Sequence, residues 1–282
     1  MKVTVLIQGG LGNQLFQLAW MHYLKSNYSL NVYADMNIFL QQKQHGAISF
    51  LSLLGDSIIF PTVEESIVTF DNMYVSKIVR SCLRNLNIRS IPHFLLFDYD
   101  ALTTWEYCIK AASLPYHYGY FQFVDAALYS KAAFLSYIKM QHSYSYMKYE
   151  QRFSDCVGIH IRRGDFLTSN NSLHVPSQLE YIKKAMCKFE GRNFVVFSDD
   201  INWCKHNFTE VSNIEYFSGS SAIEDFIGLM CCQDYILSGS TFSWWAALIN
   251  ENRDTKVILP YSKAQFMSVA SNQKIGWNYA EI

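Results

Sequence analysis

The 282-residue chain is 50% hydrophobic and 17% charged, so it can bury a large core and is long enough for two domains of ordinary size. Its formal net charge of -1 excludes an overall field that would favour nucleic acid, so any anion site must be built locally. Seven cysteines without a C-x-x-C spacing favour reduced thiols over a disulfide scaffold or a zinc site. No signal peptide and no apolar run of about 18 residues is found, so the sequence predicts a cytosolic protein without a transmembrane segment.

The N-terminal region begins with a predicted strand, a glycine loop and a helix. Residues 3–7, VTVLI, are rich in β-branched side chains and precede QGGLGNQ, which is not a G-x-G-x-x-G dinucleotide fingerprint. The glycines let the backbone approach a ligand beside neutral hydrogen-bonding groups, or they only make a tight turn into the helix. The candidate site residues of this loop are Gly10, Gly12, Asn13 and Gln14.

Two short patterns in the middle of the chain indicate other ligands. Lys77, Arg80 and Arg84 form a basic stripe on a predicted helix; such a stripe is usually a solvated face, and the alternative is weak peripheral contact with an anionic membrane. Further on, FDYD places Asp98 and Asp100 in a D-x-D pattern. A metal-dependent glycosyltransferase of the GT-A type would use such a pattern to hold Mn²⁺ or Mg²⁺ through nucleotide phosphates.

After about residue 153, predicted strands and helices alternate. The strands are VGIHI, FVVF, IEYF, YILS and KVILP, and the helices between them fall near 176–189, 200–208, 221–234 and 242–251. This alternation predicts a parallel sheet with crossover helices. The polar, tyrosine-rich stretch 141–155 is predicted to be a linker, so we expect two domains, 1–152 and 153–282.

The stretch VGIHIRRGDF places two arginines at the end of a predicted buried strand. With a period of two residues, His160 and Arg162 share one face of that strand, and the paired donors of Arg162 match a phosphate. The alternative is a structural ion pair between Asp165 and either Arg162 or Arg163.

The stretch SGSTFSWWAALIN predicts a second anion-binding element. Ser240 or Thr241 can cap a helix that begins near Phe242, so that free N–H groups and the helix dipole favour negative charge there. The alternative is an ordinary capped helix with Trp244 and Trp245 in the core.

Two carboxylates are candidates for recognition of a guanine base. Asp199 in FSDD is either an N-cap or an acceptor for the two parallel donors of guanine, and Asp225 in SAIEDF competes for that role or compensates a helix dipole. Each of these polar stretches follows a predicted strand, and the carboxyl ends of strands in open α/β sheets line the ligand crevice. One shared site is therefore expected.

Four stretches together resemble the α-1,2-fucosyltransferases, which transfer L-fucose from GDP-fucose to a galactoside. They are GGLGNQLFQLA, HIRRGDF, FSDD and LMCCQDYILSGSTFSWWAAL. The resemblance implies an α/β fold of the GT-B-like class, with two Rossmann-like domains whose parallel sheets face a cleft. It also implies an inverting mechanism without a metal or another cofactor, an N-terminal acceptor-side domain and a C-terminal GDP-fucose-binding domain.

The resemblance implies that Arg162 contacts the donor's β-phosphate. Asp165 is the candidate base for the acceptor hydroxyl, although it can equally orient Arg163. The predicted donor-binding residues are His160, Arg162, Arg163, Asp199, Asp200, Asp225, Ser240, Thr241, Phe242 and Ser243.

The predicted function is transfer of L-fucose to the 2-hydroxyl of a terminal galactoside, free or lipid-linked, in the synthesis of a bacterial surface glycan such as O-antigen. The expected location is the cytoplasm or the inner face of its membrane. Two alternatives stay open: a GT-A enzyme that uses Asp98 and Asp100, and a non-catalytic carbohydrate-binding protein whose aromatic residues stack on sugars.

Overall fold

The computed structural model describes residues 1–36, 58–59, 90–91, 95–98, 104–167, 178–251, 254–260 and 265–281. The chain forms two compact units, Met1–Ser130 and Lys131–Ile282, and each carries one six-stranded sheet. Within the described ranges, no helix has the length and apolar character needed to cross a membrane.

The first unit is an α/β structure around a mostly parallel sheet. Its strands are β1 (Lys2–Leu6), β2 (Asn31–Asp35), β3 (Ile58–Ile59), β4 (Ser90–Ile91), β5 (Leu95–Asp98) and β6 (Tyr116–Gly119). They lie in the order β3-β2-β1-β6-β5-β4, and only β4 and β5 pair antiparallel. The helices are α1 (Leu11–Asn27), α2 (Trp105–Lys110) and the start of α3 (Val124–Gln141), which crosses into the second unit.

The second unit has a fully parallel sheet. Its strands are β7 (Cys156–Ile161), β8 (Asn193–Ser198), β9 (Ile214–Phe217), β10 (Asp234–Ile236), β11 (Lys256–Leu259) and β12 (Asn278–Glu281). Their order is β12-β11-β10-β7-β8-β9. Numbered from β7, this is the doubly wound order of the Rossmann fold.

Helices cover both faces of the second sheet. They are α4 (Ser143–Phe153), α5 (Leu179–Met186), α6 (Ile201–Asn207), α7 (Ala222–Met230), α8 (Thr241–Ile249) and α9 (Val269–Ile275). Val157, Ile159 and Ile161 of β7 alternate onto one face and are buried with Ile182 of α5. On the other face Gly158 leaves room for α7, because a Cβ there would lie 2.8 Å from Leu229 Cδ1.

The predicted alternation of strands and helices after residue 153 is confirmed, with helix ends that differ by a few residues. The linker interpretation of 141–155 is wrong. Most of that stretch forms α4, which buries Tyr149 and Phe153 against Phe217 of β9, with ring centroids 5.1 and 5.5 Å apart. Accordingly, the compact second unit begins at Lys131 rather than at 153.

Candidate active site

The second sheet has its topological switch point between β7 and β10. These strands are parallel neighbours, and the strand order reverses between them. In open α/β sheets, the carboxyl ends of strands at this point form the ligand crevice. Arg162 and Arg163 directly follow β7, and the loop that leads to α8 follows β10. The two predicted anion-binding elements therefore leave adjacent strands on the same edge.

The Asp199 carboxylate binds the arginine loop at two points. Its Oδ1 accepts a hydrogen bond from the backbone N–H of Arg163 at 2.9 Å, and its Oδ2 lies 3.0 Å from Nη1 of Arg162. Gly164 fits closely beside this carboxylate, since a Cβ on Gly164 would lie 2.7 Å from Asp199 Oδ2. Asp199 thus holds the loop that follows β7.

Asp200, the next residue, caps α6. Its Oδ1 accepts from the backbone N–H of Trp203 at 3.1 Å, so the prediction that Asp199 is the N-cap is wrong by one position. Asp200 Oδ2 lies 3.5 Å from Nε of Arg163, and the Arg163 guanidinium stacks 3.9 Å above the centroid of the Trp203 ring. Arg163 is therefore fixed against α6 and is less exposed than Arg162.

Both arginines form ion pairs with carboxylates that follow a different strand, and the alternative of an ion pair with Asp165 stays untested. Arg162 pairs with Asp199 and Arg163 pairs with Asp200, both of which follow β8. Asp165 begins a short 3₁₀ helix, Asp165–Leu167, and its side chain lies outside the described part of the structure. Its role as a base stays a prediction.

The start of α8 is built as the sequence predicts. Ser240 is the N-cap, and its Oγ accepts from the backbone N–H of Phe242 at 3.3 Å. Ser243 Oγ donates to the Ser240 carbonyl at 3.2 Å, while Trp244 and Trp245 are fully buried. The core role of the tryptophans is confirmed, and the same helix directs the positive end of its dipole to the edge where Arg162 lies.

His160 lies under this edge as a buried, neutral imidazole. Only 7% of it is exposed, and its ring stacks on Phe242 with centroids 5.4 Å apart. Burial, with a smaller contribution from the nearby Arg162 charge, lowers the pKa of His160 to about 3. His160 therefore offers this edge a hydrogen-bonding dipole and not a positive charge.

Asp225 lies in the first turn of α7, close to the start of α8. Its Oδ1 accepts from the backbone N–H of Gly219 at 2.6 Å, and the adjacent Phe226 ring contacts Phe242 with centroids 5.4 Å apart. Burial raises the pKa of the Asp225 carboxyl; the Gly219 hydrogen bond opposes this change and the Glu224 charge adds to it. Asp225 Oδ2 has no hydrogen-bond partner among the described residues.

Three contributors to this edge were missed by the sequence reasoning. Trp203 supports Arg163, Phe226 joins the starts of α7 and α8, and Ser238 binds His160 across the sheet. Of these three residues, only Ser238 could have been predicted from the sequence. It is the last residue of the predicted strand YILS, and a polar residue at the carboxyl end of such a strand is expected to face the ligand crevice.

The glycine loop of the first unit is a tight turn into α1. Gly9 has a φ of +81°, which favours glycine, and Gln14 Nε2 donates to its carbonyl at 2.8 Å. Asn13 Oδ1 accepts from Gln122 Nε2 at 3.0 Å. Gly10 occupies the N-cap position and Gly12 lies in the first turn of α1. The turn interpretation is confirmed, and contact of this loop with a ligand stays a prediction.

The remaining predicted features are only partly described. Asp98 ends β5, while Asp100 and the basic stripe of Lys77, Arg80 and Arg84 lie outside the described residues. Among the residues with described placement, no group of three or more His, Cys, Asp or Glu side chains is arranged to hold a metal ion.

Two α/β units, with arginines and a helix N-terminus at the switch point of the second sheet, define a protein of the GT-B-like fold class whose second unit has an edge suited to an anionic ligand. The family model "Glycosyl transferase family 11" matches residues 2–281, so the chain belongs to glycosyltransferase family 11. The predicted family and enzyme class are confirmed. The fold class also counts against the GT-A alternative, and the family counts against a non-catalytic binding protein.

Three known proteins illustrate the similarity. The O-antigen biosynthesis glycosyltransferase WbnK of Escherichia coli is 32% identical over 117 residues, which span only 38% of this chain and 38% of WbnK. The alpha-1,2-colitosyltransferase of Escherichia coli is 21% identical, with 87% of this chain and 86% of the relative covered. The crystal structure of fucosyltransferase NodZ from Bradyrhizobium superposes with a TM-score of 0.50 at 12% identity, covering 88% of this chain and 94% of NodZ. The NodZ likeness concerns the fold alone, and it confirms the predicted fold class.

Proposed function

We propose that this family 11 glycosyltransferase transfers L-fucose from GDP-fucose to the 2-hydroxyl of a terminal galactoside, with inversion at the anomeric carbon. The observation that carries the proposal is the placement of Arg162 beside the N-terminus of α8 at the switch point of the second sheet. A fixed guanidinium and free helix N–H groups match a nucleoside diphosphate leaving group. The α-1,2 linkage is supported by the motif resemblance and by the similarity to the alpha-1,2-colitosyltransferase.

In this proposal the pyrophosphate lies between Arg162 and the first turn of α8. Negative charge grows on the departing diphosphate in the transition state, and donors that are already in place stabilise it without reorganisation. Asp199 and Ser240 hold Arg162 and the helix start in position. Because these donors are part of the chain, the proposal requires no metal.

The guanine base is assigned to Asp225. Asp199 and Asp200 each use both carboxylate oxygens on the arginine loop and the α6 cap, whereas Asp225 keeps Oδ2 for another donor. Two parallel donors on the guanine edge suit a carboxylate of this kind. A half-buried position at the starts of α7 and α8 strengthens such a hydrogen bond.

Acceptor activation is assigned to a base at the same edge. An inverting single displacement needs a group that takes the proton of the attacking hydroxyl. Asp165, three residues after Arg162, is the proposed base, and Gly10, Gly12, Asn13 and Gln14 are proposed to contact ligand from the N-terminal domain.

The acceptor is proposed to be a galactoside terminus of a bacterial surface glycan. The similarity to WbnK, an O-antigen biosynthesis glycosyltransferase, supports this class of acceptor. Assembly of such a glycan on the cytosolic side of the membrane would place the enzyme in the cytoplasm or at that membrane. Free and lipid-linked acceptors share the terminal sugar that the reaction modifies.

The decisive experiment is a transfer assay with purified protein. GDP-fucose is incubated with a panel of terminal β-galactosides and with matched acceptors whose 2-hydroxyl is replaced by hydrogen. We expect transfer only to the intact galactosides, with an α-1,2 linkage located by NMR. Transfer to the 2-deoxy acceptors, or GDP binding without transfer to any acceptor, contradicts the proposal.

GDP-colitose should be tested as a second donor in the same assay, because the sequence similarity to the colitosyltransferase covers most of both chains. Colitose is L-fucose without the 3-hydroxyl, so GDP-colitose presents the same diphosphate and nearly the same sugar. We expect a higher kcat/KM with GDP-fucose. The reverse order would assign this chain to colitosyl transfer and keep the assigned pyrophosphate site.

A further inference from the structure

We infer that Ser238 is a positioning residue that holds His160 in the tautomer with its proton on Nε2, so that a neutral N–H donor faces the bound nucleotide. The inference rests on the proposed function for the identity of that ligand. The hydrogen bond itself is a feature of the protein alone.

The two side chains form a close, buried pair across the sheet. His160 is near the end of β7 and Ser238 follows β10, and His160 Nδ1 lies 2.6 Å from Ser238 Oγ. Ser238 is 2% exposed and His160 is 7% exposed. The pair therefore lies on the two strands that flank the switch point.

The direction of this hydrogen bond follows from the available partners. Ser238 Oγ has no other hydrogen-bond partner among the described residues. If His160 donated from Nδ1, the Ser238 hydroxyl hydrogen would be left buried without an acceptor, which is costly. The hydroxyl therefore donates to Nδ1, and the neutral ring carries its proton on Nε2.

The opposite nitrogen is available to a ligand. Nε2 of His160 has no partner among the described residues, and 7% of the His160 surface is exposed. The ring is packed against Phe242 in the first turn of α8, and Arg162 is close enough for its charge to act on the imidazole. A donor atom at this point lies among the groups assigned to the diphosphate.

Two other histidines provide internal references for the tautomer. His117 Nδ1 accepts from Trp20 Nε1 at 3.0 Å, and since indole nitrogen only donates, His117 must carry its proton on Nε2. His22 Nδ1 lies 3.0 Å from Ser130 Oγ, but this hydroxyl donates to the Ala19 carbonyl at 3.4 Å. His22 is therefore expected to carry its proton on Nδ1, the reverse of His160.

The direct test is imidazole ¹⁵N NMR of the full chain without ligand. Protonated and bare ring nitrogens differ widely in chemical shift, and the His160 signals are identified by their loss in His160→Gln. We expect His160 to match His117 and to differ from His22. A His160 signature with the proton on Nδ1 overturns the inference, whatever the effect of the Ser238 variants.

The functional test compares GDP binding in two variants of Ser238. Ser238→Ala removes the donor to Nδ1, so we expect a mixture of His160 tautomers and a GDP dissociation constant raised about threefold to tenfold. Ser238→Thr keeps the hydroxyl and should restore both the tautomer and the affinity to within about twofold. Unchanged tautomer and affinity in Ser238→Ala overturn the role of Ser238.

Ser130→Ala is the matched control, because it removes a buried serine hydroxyl from the other serine–histidine pair and should leave GDP affinity unchanged. Failure of the proposed function has a separate signature. If the wild-type chain binds no GDP, the donor assignment is wrong, while the His160 signals still decide whether Ser238 sets the tautomer.

Discussion

Oδ2 of Asp199 lies 3.0 Å from Nη1 of Arg162, so the arginine assigned to the diphosphate has an anionic partner before any nucleotide binds. The side chains of Arg162 and Asp199 are 31% and 24% exposed, which places the pair between a surface and a buried salt bridge. The pair therefore fixes the direction of the guanidinium and leaves part of it open to a ligand.

Replacing Asp199 by Asn tests this positioning. The amide is nearly isosteric but loses the charge that orients Arg162, so we expect kcat/KM for the nucleotide-sugar donor to fall about threefold to tenfold. The measurement is steady-state transfer at saturating acceptor. Tighter donor binding in Asp199→Asn would mean that Asp199 competes with the phosphate instead of positioning Arg162.

Gly164→Ala tests the position of the Asp199 carboxylate without changing Asp199 itself. A Cβ on Gly164 would lie 2.7 Å from Asp199 Oδ2, so the carboxylate must move away from Arg162. We expect a loss of donor kcat/KM similar to that of Asp199→Asn. In an Asp199→Ala background, which removes the clash, adding Gly164→Ala should have little further effect. Additive losses in this double-mutant cycle would contradict the account.

Arg162→Lys tests the paired donors of the guanidinium. Lysine keeps the charge but loses the planar fork, and charge-assisted hydrogen bonds are worth about 1.5–3 kcal/mol, so activity should fall by roughly an order of magnitude or more. Arg152→Lys is the matched control, since Arg152 of α4 pairs with Glu215 on an exposed surface. Near-normal kinetics of Arg162→Lys would show that Arg162 does not bind the diphosphate through paired hydrogen bonds.

The buried histidines predict how stability depends on pH. Burial lowers the pKa of both His117 and His160 to about 3, against 6.5 for an exposed imidazole. Below pH 6.5 these two histidines become protonated in the unfolded chain but stay neutral in the folded protein. The free energy of unfolding is therefore not reduced by these histidines above pH 6.5. As the pH falls from 6.5 towards 3, it decreases by about 1.4 kcal/mol per pH unit for each histidine.

Amide hydrogen exchange in β7 and β6 would measure this loss separately in the two units. We expect protection in β7 to fall between pH 7 and pH 5 after correction for intrinsic exchange, and to fall less steeply in His160→Gln. The slope in β6 should be the same in that variant and in the wild type. An equal slope in β7 with and without His160 would contradict the prediction.

Metal removal tests the proposed role of the chain's own donors. Arg162 and the N-terminus of α8 are expected to stabilise the leaving diphosphate, so transfer should continue in excess EDTA at close to its untreated rate. Loss of transfer that Mn²⁺ restores would contradict this, and would give Asp98 and Asp100 a role as metal ligands.

The sequence predicted the strands and the polar edge because both are local patterns. Val157, Ile159 and Ile161 alternate as a buried strand, and Ser240 carries a helix-capping signal within its own few residues. The partner of Arg162 was not predictable in this way, because Asp199 follows a different strand and only strand pairing brings the two together.

Two errors have equally physical causes. Asp199 and Asp200 both suit an N-cap, and the choice depends on backbone angles that a D-D sequence does not specify. The polar composition of 141–155 indicated a linker, but α4 needs few apolar residues, since it buries only Tyr149 and Phe153. A helix on one side of a sheet can remain polar over most of its surface.

The adjacency of β7 and β10 has a consequence for how the chain folds. His160 and Ser238 are 78 residues apart, and the described residues between them include β8, β9 and β10 and the helices α5, α6 and α7. The pairs β7–β8 and β8–β9 join strands close in sequence, whereas β10 must return to the opposite side of β7 and close a long loop. During synthesis the proposed nucleotide site is thus absent until α8 has left the ribosome. If the proposed donor site is right, GDP affinity would first appear when β10 has paired with β7 and α8 has formed, and nucleotide in the cell would stabilise only chains that have passed that point.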